Sequence, residues 1–210
     1  MGAGAGAAAA YAFLVRRWQL GFGATVEEIL RAMPLDERVP NPNHVTNRAI
    51  TIHAAPEAVW PCLAQMGELP RGGFYSYVTV ERMLRMKVEN SETLSSRFQN
   101  LRVGDALDRL GGLIVQAVEP NRHLVLGPEP ARNLRVTWAL ALFPAPDGTT
   151  RLVSRCRAWM RPGVERLAWR VILDAGQLVM ERRMLLEIRR RAERPPEAST
   201  VAEERRSTVA

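Results

Sequence analysis

The sequence predicts an α+β fold in which a curved antiparallel sheet wraps a long C-terminal helix. Three observations predict it. First, the segment Gly163–Ala192 is apolar nearly all the way round in its middle, from Leu167 through Trp169, Val171, Ile172 and Leu173 to Met180, so other elements must cover it. Second, the residues before it alternate with period two: Leu134, Val136, Trp138, Leu140 and Leu142 form one face of a long strand. Leu152, Ser154, Cys156 and Ala158 oppose them, while Arg151, Arg155 and Arg157 point away. Third, Ala145-Pro-Asp-Gly148 between the two runs is a hairpin turn. A sheet curled round a helix leaves a gap between them, and that gap is the expected working site.

The elements follow in order. Thr25, with Glu27 and Glu28 behind it, caps a short helix reaching about Met33. Pro34, Pro40 and Pro42 then impose an extended connector, which contains His44. Arg48–His53 reads as a strand with Ile50 and Ile52 on one face. Pro56 opens a helix on which Val59, Trp60, Leu63 and Met66 recur at helical spacing, and Gly67 closes it. Gly72-Gly73 interrupts the chain before Tyr75 and Tyr77, which lead into a second helix around Val78–Arg85. Asn90–Asn100 is expected to be the least ordered internal stretch. Strands are predicted at Asp105–Leu110, Leu113–Glu119, His123–Leu126, Asn133–Phe143 and Thr150–Met160. The chain thus divides into a low-complexity leader (1–22), one domain (23–193, including the connector 34–47) and a disordered tail (194–210).

Composition narrows the function classes. The chain has 210 residues, 47% of them hydrophobic, which suits one globular domain with a core of ordinary size. Its net charge of +7 invites a nucleic-acid reading, but the excess is spread along the chain, and no basic face interleaved with aromatics appears. Nucleic acid is therefore not an expected partner. Cys62 and Cys156 are far apart, without a CxxC or Cys/His spacing, and fit buried free thiols in a reducing cytoplasm. The apolar run near Tyr11–Val15 is too short to span a bilayer, and its arginines follow it, where a signal peptide would place them first.

The order of elements, with particular segments, resembles the helix-grip superfamily of lipid-transfer, pollen-allergen-like and polyketide cyclase/dehydrase proteins. Within it the chain looks similar to uncharacterised bacterial members labelled SRPBCC or START-like. The residues that carry this are 49–61 (AITIHAAPEAVWP), Gln65-Met66-Gly67, 73–77 (GFYSY), 103–105 (VGD), 117–120 (AVEP), 149–151 (TTR) and 179–186 (VMERRMLL), together spanning about 23–193. The branch often has Trp where this chain has Phe74 and Cys62. The resemblance implies a helix-grip fold and an internal cavity, without implying a reaction.

No constellation of catalytic type emerges. His44, His53 and His123 are isolated, no ligand cluster suggests a metal, and no cofactor is expected. Asp105 and Asp108, three apart in a strand, fall on opposite faces and form no dyad. The charged run Glu181–Arg191 reads as a solvated helix face, with a membrane-facing role for Arg182, Arg183 and Arg189–Arg191 as a weaker alternative. The expected pocket lining is Tyr75, Tyr77, Trp138, Leu140, Leu173, Asp174, Gln177 and Met180. Asp174 and Gln177 are polar positions within the apolar run, and the two tyrosines form a flexible lip. The expectation is non-catalytic binding or carriage of a small hydrophobic or amphipathic molecule. The alternatives are a cyclase or dehydratase using Tyr75, His123 or Asp174 as acid/base, and an interaction module that uses the fold's exterior and the arginine strands.

Overall fold

The computed structural model describes residues 19–83, 85–161 and 163–194, and in the C-terminal helix it describes side chains from residue 176 onward. The chain forms helix α1 (Val26–Leu30), strand β1 (His44–Ile52), helices α2 (Pro56–Ala64) and α3 (Val78–Met83), strands β2 (Ile114–Glu119), β3 (His123–Gly127), β4 (Leu134–Pro144) and β5 (Thr150–Met160), and helix α4 (Val164–Ala192). The five strands make one antiparallel sheet in the order β1-β5-β4-β3-β2. With α4 across one face, this is the α+β helix-grip arrangement that the sequence predicts.

Register sets which side chains meet the helix. Leu142 pairs with Leu152, Leu140 with Ser154, Trp138 with Cys156 and Val136 with Ala158, as the alternation requires. Across β1, Ile50 faces Leu152, Arg48 faces Ser154 and Thr46 faces Cys156. Thr46, Arg48, Ile50 and Ile52 therefore share the inner face with the apolar rows of β4 and β5. The main core joins Ile52, Leu124, Leu126, Leu140 and Leu152 to Val59 and Leu63 of α2 and to Met184, Leu185 and Ile188 of α4.

The outer face is covered too. Met33 packs with Ala49, Val125, Ala139, Ala141 and Val153 in a second, smaller cluster. The arginines that alternation directs outward fasten the N-terminal segment there. Arg155, almost fully buried, donates to Asn47 Oδ1 (2.6 Å), Asp36 Oδ2 (2.7 Å) and the carbonyls of Glu28 and Ile29. Arg151 pairs with Glu28 at 2.6 Å, and Arg157 donates to the Val39 carbonyl at 2.9 Å. An exterior surface of free arginines is thus not available at these strands. Thr25 and Glu28 cap α1 reciprocally, each side chain accepting from the other's backbone N–H.

Five expectations need correction. Strand β1 begins at His44, so this histidine and the end of the predicted connector belong to the sheet, because Asn43 already bonds to the Ala158 carbonyl. Helix α1 ends at Leu30, before Met33. Residues 105–110 are not a strand but a loop with a single bridge, Ala106 to Ile114. Within that loop Asp108 accepts from the N–H groups of Gly112 and Leu113, and Asp105 from that of Arg102; local turn bonds win over pairing. The 90–100 segment is anchored: Asn90 Oδ1 accepts from the Tyr75 N–H, and Gln65 bonds Thr93 and Ser95. Finally, Val179 of α4 is half exposed, so the helix is not covered on every side at this turn.

Candidate functional site

The inner face of the sheet is mainly apolar, and a buried arginine interrupts it. Ile50 and Ile52 lead along β1 to Arg48, which is 0% exposed. A guanidinium on an apolar strand face must find charge or hydrogen-bond partners, because an isolated buried cation is far too costly. It finds Glu181 of α4, 4% exposed, which accepts from Arg48 Nη1. Glu181 lies on the apolar stripe of α4, three residues from Leu178 and Met184 and four from Leu185, all buried.

The network extends across the strands. Trp138 Nε1 donates to Ser154 Oγ at 2.9 Å, and Ser154 Oγ donates to Glu181 Oε1 at 2.5 Å. With Trp138 donating to the Ser154 hydroxyl oxygen and Arg48 able only to donate, Glu181 is the terminal acceptor and the geometry suits its carboxylate form. Burial pushes the Glu181 pKa up, while Arg48 and Ser154 pull it down. One turn back along α4, Gln177 lies beside Cys156, whose thiol burial raises to about 12. Thus residue 181 of the helix meets residue 154 of β5, and residue 177 meets residue 156.

Three donors in this cluster lack a partner among the described residues: Arg48 Nε, Arg48 Nη2 and Thr46 Oγ1. Nε and Nη2 form one edge of the guanidinium fork, and Thr46 is the next inward residue of the same strand. Buried donors are nearly always satisfied, so an unmatched pair on one fork is unusual.

The expected lining residues separate into groups. Trp138 belongs to this network, Gln177 lies one turn away beside Cys156, and Leu140, fully buried, lies across from Ser154. Tyr75 is not part of a flexible lip. It is wholly buried, with its N–H held by Asn90 and the Arg191 guanidinium 4.5 Å from its ring centroid. Tyr77 is 45% exposed. Met180 is half buried, and its carbonyl accepts from Ser76 Oγ at 3.1 Å. The side chains of Leu173 and Asp174 lie outside the described residues.

Arg48, Ser154 and Glu181 were not anticipated as site residues. A signal existed: period two from Ile50 and Ile52 puts Arg48 on the apolar face, and helical spacing puts Glu181 on the stripe of Leu178 and Leu185. The solvated-face reading of 181–191 is corrected in the same way. Glu181 and Glu187 are buried, and Arg191 is held between Glu187 (2.6 Å) and Glu92 (2.8 Å). Arg190 also pairs with Glu92 and Glu187, and Arg183 with Glu187. Arg183, Arg190 and Arg191 are thus engaged in ion pairs within the protein.

Of the acid/base set proposed from the sequence, His123 and Tyr75 do not converge, and the Asp174 side chain lies outside the described residues. His123 pairs in register with Ala141, on the face away from α4, 3.6 Å from Glu119, and burial lowers its pKa. Tyr75 sits on the other side of the sheet, with its hydroxyl pKa pushed up by burial. Among the described residues, no three His, Cys, Asp or Glu are grouped as metal ligands, and no helix is long and apolar enough to cross a membrane.

No family model matches the chain, and no curated protein matches it in sequence. Solved structures do. Mll3558 from Rhizobium loti is similar at 19% identity over 69% of this chain and 96% of its own, with a TM-score of 0.38. KanY is similar at 13% identity over 72% and 98%, with a TM-score of 0.40. The Polyketide_cyc-like protein Cgl2372 from Corynebacterium glutamicum is similar at 15% identity over 70% and 89%, with a TM-score of 0.34. These neighbours include a polyketide-cyclase-like protein, and the likeness is one of fold.

Proposed function

We propose that the protein binds a small amphipathic molecule between the sheet and α4, without chemistry, and that the molecule's polar end is a neutral hydrogen-bond acceptor such as a carbonyl. The observation that carries this is the open Nε/Nη2 edge of Arg48, buried on the inner face of the sheet. Glu181 already balances the Arg48 charge. A ligand carboxylate would add a second buried anion against one cation, whereas a ketone, ester or amide oxygen would take both donors with no change in net charge. Thr46 Oγ1 adds a third donor nearby, and Trp138 supplies an apolar ring whose own N–H is already satisfied. Burying the apolar body of the ligand contributes about 25 cal/mol per Å².

The test uses three probes of one shape: 2-acetylnaphthalene, 2-naphthoate and 2-ethylnaphthalene. The ketone is expected to bind about tenfold more tightly than the hydrocarbon, as hydrogen bonds to a charged donor imply, and the carboxylate more weakly than the ketone. In the double variant Arg48→Met/Glu181→Met the ketone's advantage should vanish. Failure of all three to bind, together with purification from the native host without any apolar passenger in native mass spectrometry, would refute the reading.

A further inference from the structure

Helix α3 is built inside out. Of its residues only Glu81 is buried, at 1% exposure, while Val80 is 40% and Met83 80% exposed. Val78 leans on the main core, and Val80 and Met83 project from the opposite side. Ser76, just before α3, is fastened to the Met180 carbonyl, so the helix is anchored to α4 at its start. Tyr77 and Leu69, both about half exposed, extend the apolar area. Leu69 also lines an open cleft of about 380 Å³ with Arg82, Arg85, Met86, Lys87 and Val88. Arg82, Arg85 and Lys87 are exposed and have no ion pair among the described residues, unlike Arg183, Arg190, Arg191 and Arg194 at the end of α4.

We infer that α3 and the loop after it dock onto an anionic lipid surface, with Val80, Met83 and Tyr77 entering the headgroup boundary and Arg82, Arg85 and Lys87 meeting lipid phosphates. The argument is one of size and charge. A stable protein interface takes roughly 20–30 residues a side, far more than this patch offers. A bilayer asks less: a few apolar side chains on a short helix flanked by cations, with an amphipathic tyrosine at headgroup depth. Each unpaired cation near an anionic surface favours it by roughly fivefold over a neutral one. The uncompensated cations also disfavour a second copy of the chain, whose matching patch would repel them. This inference stands on a different surface from the Arg48 site and does not require it.

The experiment is flotation of the full chain with vesicles of phosphatidylcholine alone and of phosphatidylcholine with phosphatidylglycerol. The protein is expected to float with the anionic vesicles and to be released by high salt. Val80→Ser/Met83→Ser should weaken that binding about tenfold or more, and Arg82→Gln/Arg85→Gln/Lys87→Gln should remove the preference for anionic lipid. Val103→Ser/Leu110→Ser removes apolar area that is exposed elsewhere and should leave flotation unchanged. No flotation of the parent protein, or equal flotation of the Val80/Met83 variant, overturns the inference. So does a concentration-dependent dimer in sedimentation that this variant abolishes while vesicles are ignored, which would assign the patch to self-association.

Discussion

The Arg48–Glu181 pair makes an asymmetric prediction. Arg48 is fully buried and Glu181 nearly so, each facing the other across the helix–sheet interface. Replacing Glu181 by Gln strands a guanidinium that cannot shed its proton, and breaking a buried pair in this way costs about 3–5 kcal/mol. Against a total stability of about 5–15 kcal/mol this is a large fraction, and it should be nearly independent of pH between 5 and 8. Replacing Arg48 by Met instead leaves a carboxyl that can escape by taking up a proton. With its chief stabilising charge gone, burial holds the folded-state pKa of Glu181 above its unfolded value. A group raised in this way destabilises the fold progressively as pH climbs from the unfolded pKa through the folded one. Arg48→Met should therefore be mild at pH 4.5 and several kcal/mol worse at pH 8. The double variant Arg48→Met/Glu181→Met removes both charges and should recover most of the loss. Urea unfolding followed by circular dichroism at the two pH values measures all four proteins. The reasoning is refuted if Glu181→Gln lies within about 0.5 kcal/mol of the parent, or if the Arg48→Met penalty does not change with pH.

Other consequences are open to direct measurement. Burial raises Glu81 to about 7, so the folded state keeps a proton that the unfolded chain releases from about pH 4.5, and stability should decline between these values. Glu81→Gln should abolish that decline and raise stability at pH 8 by up to about 3 kcal/mol while changing little at pH 4; equal unfolding midpoints at pH 8 would contradict it. Burial also raises the Cys62 and Cys156 thiols to about 11 and 12, so neither should react with a thiol reagent at pH 8 until the protein is denatured. Arg155 fastens the α1 segment to the outer face, and Arg155→Met should free that segment to proteolysis and hydrogen exchange before the sheet itself opens. Protection of the segment equal to that of the parent protein would show that the Met33 cluster alone holds it.

The particular elements show what could be read without a structure. The β4–β5 register, the inward row from Leu134 to Leu142 and the outward arginines follow from a period of two and a Pro-Asp-Gly turn. These are local properties of the chain, each decided within a few residues. Helix α4 was legible for the same reason, since its apolar run leaves few other outcomes. The strand predicted at Asp105–Leu110 failed because aspartate side chains competed for backbone N–H groups that a strand would have paired.

The site depends on a different kind of information. Whether Arg48 is a solvated strand residue or a buried donor is decided by Glu181, 133 residues away, and by Ser154 and Trp138, which join the two through hydrogen bonds. Sequence periodicity assigns each of these residues to a face, but it carries no record of which helix turn will lie over which strand position. The same holds for Tyr75, whose glycine-flanked segment suggests mobility until Asn90 and Arg191 close over it. By itself the sequence determined the architecture, because secondary structure and strand pairing rest on short-range periodicity. The tertiary structure alone decided the placement of charge in the interior, because burial and pairing arise only when distant segments meet.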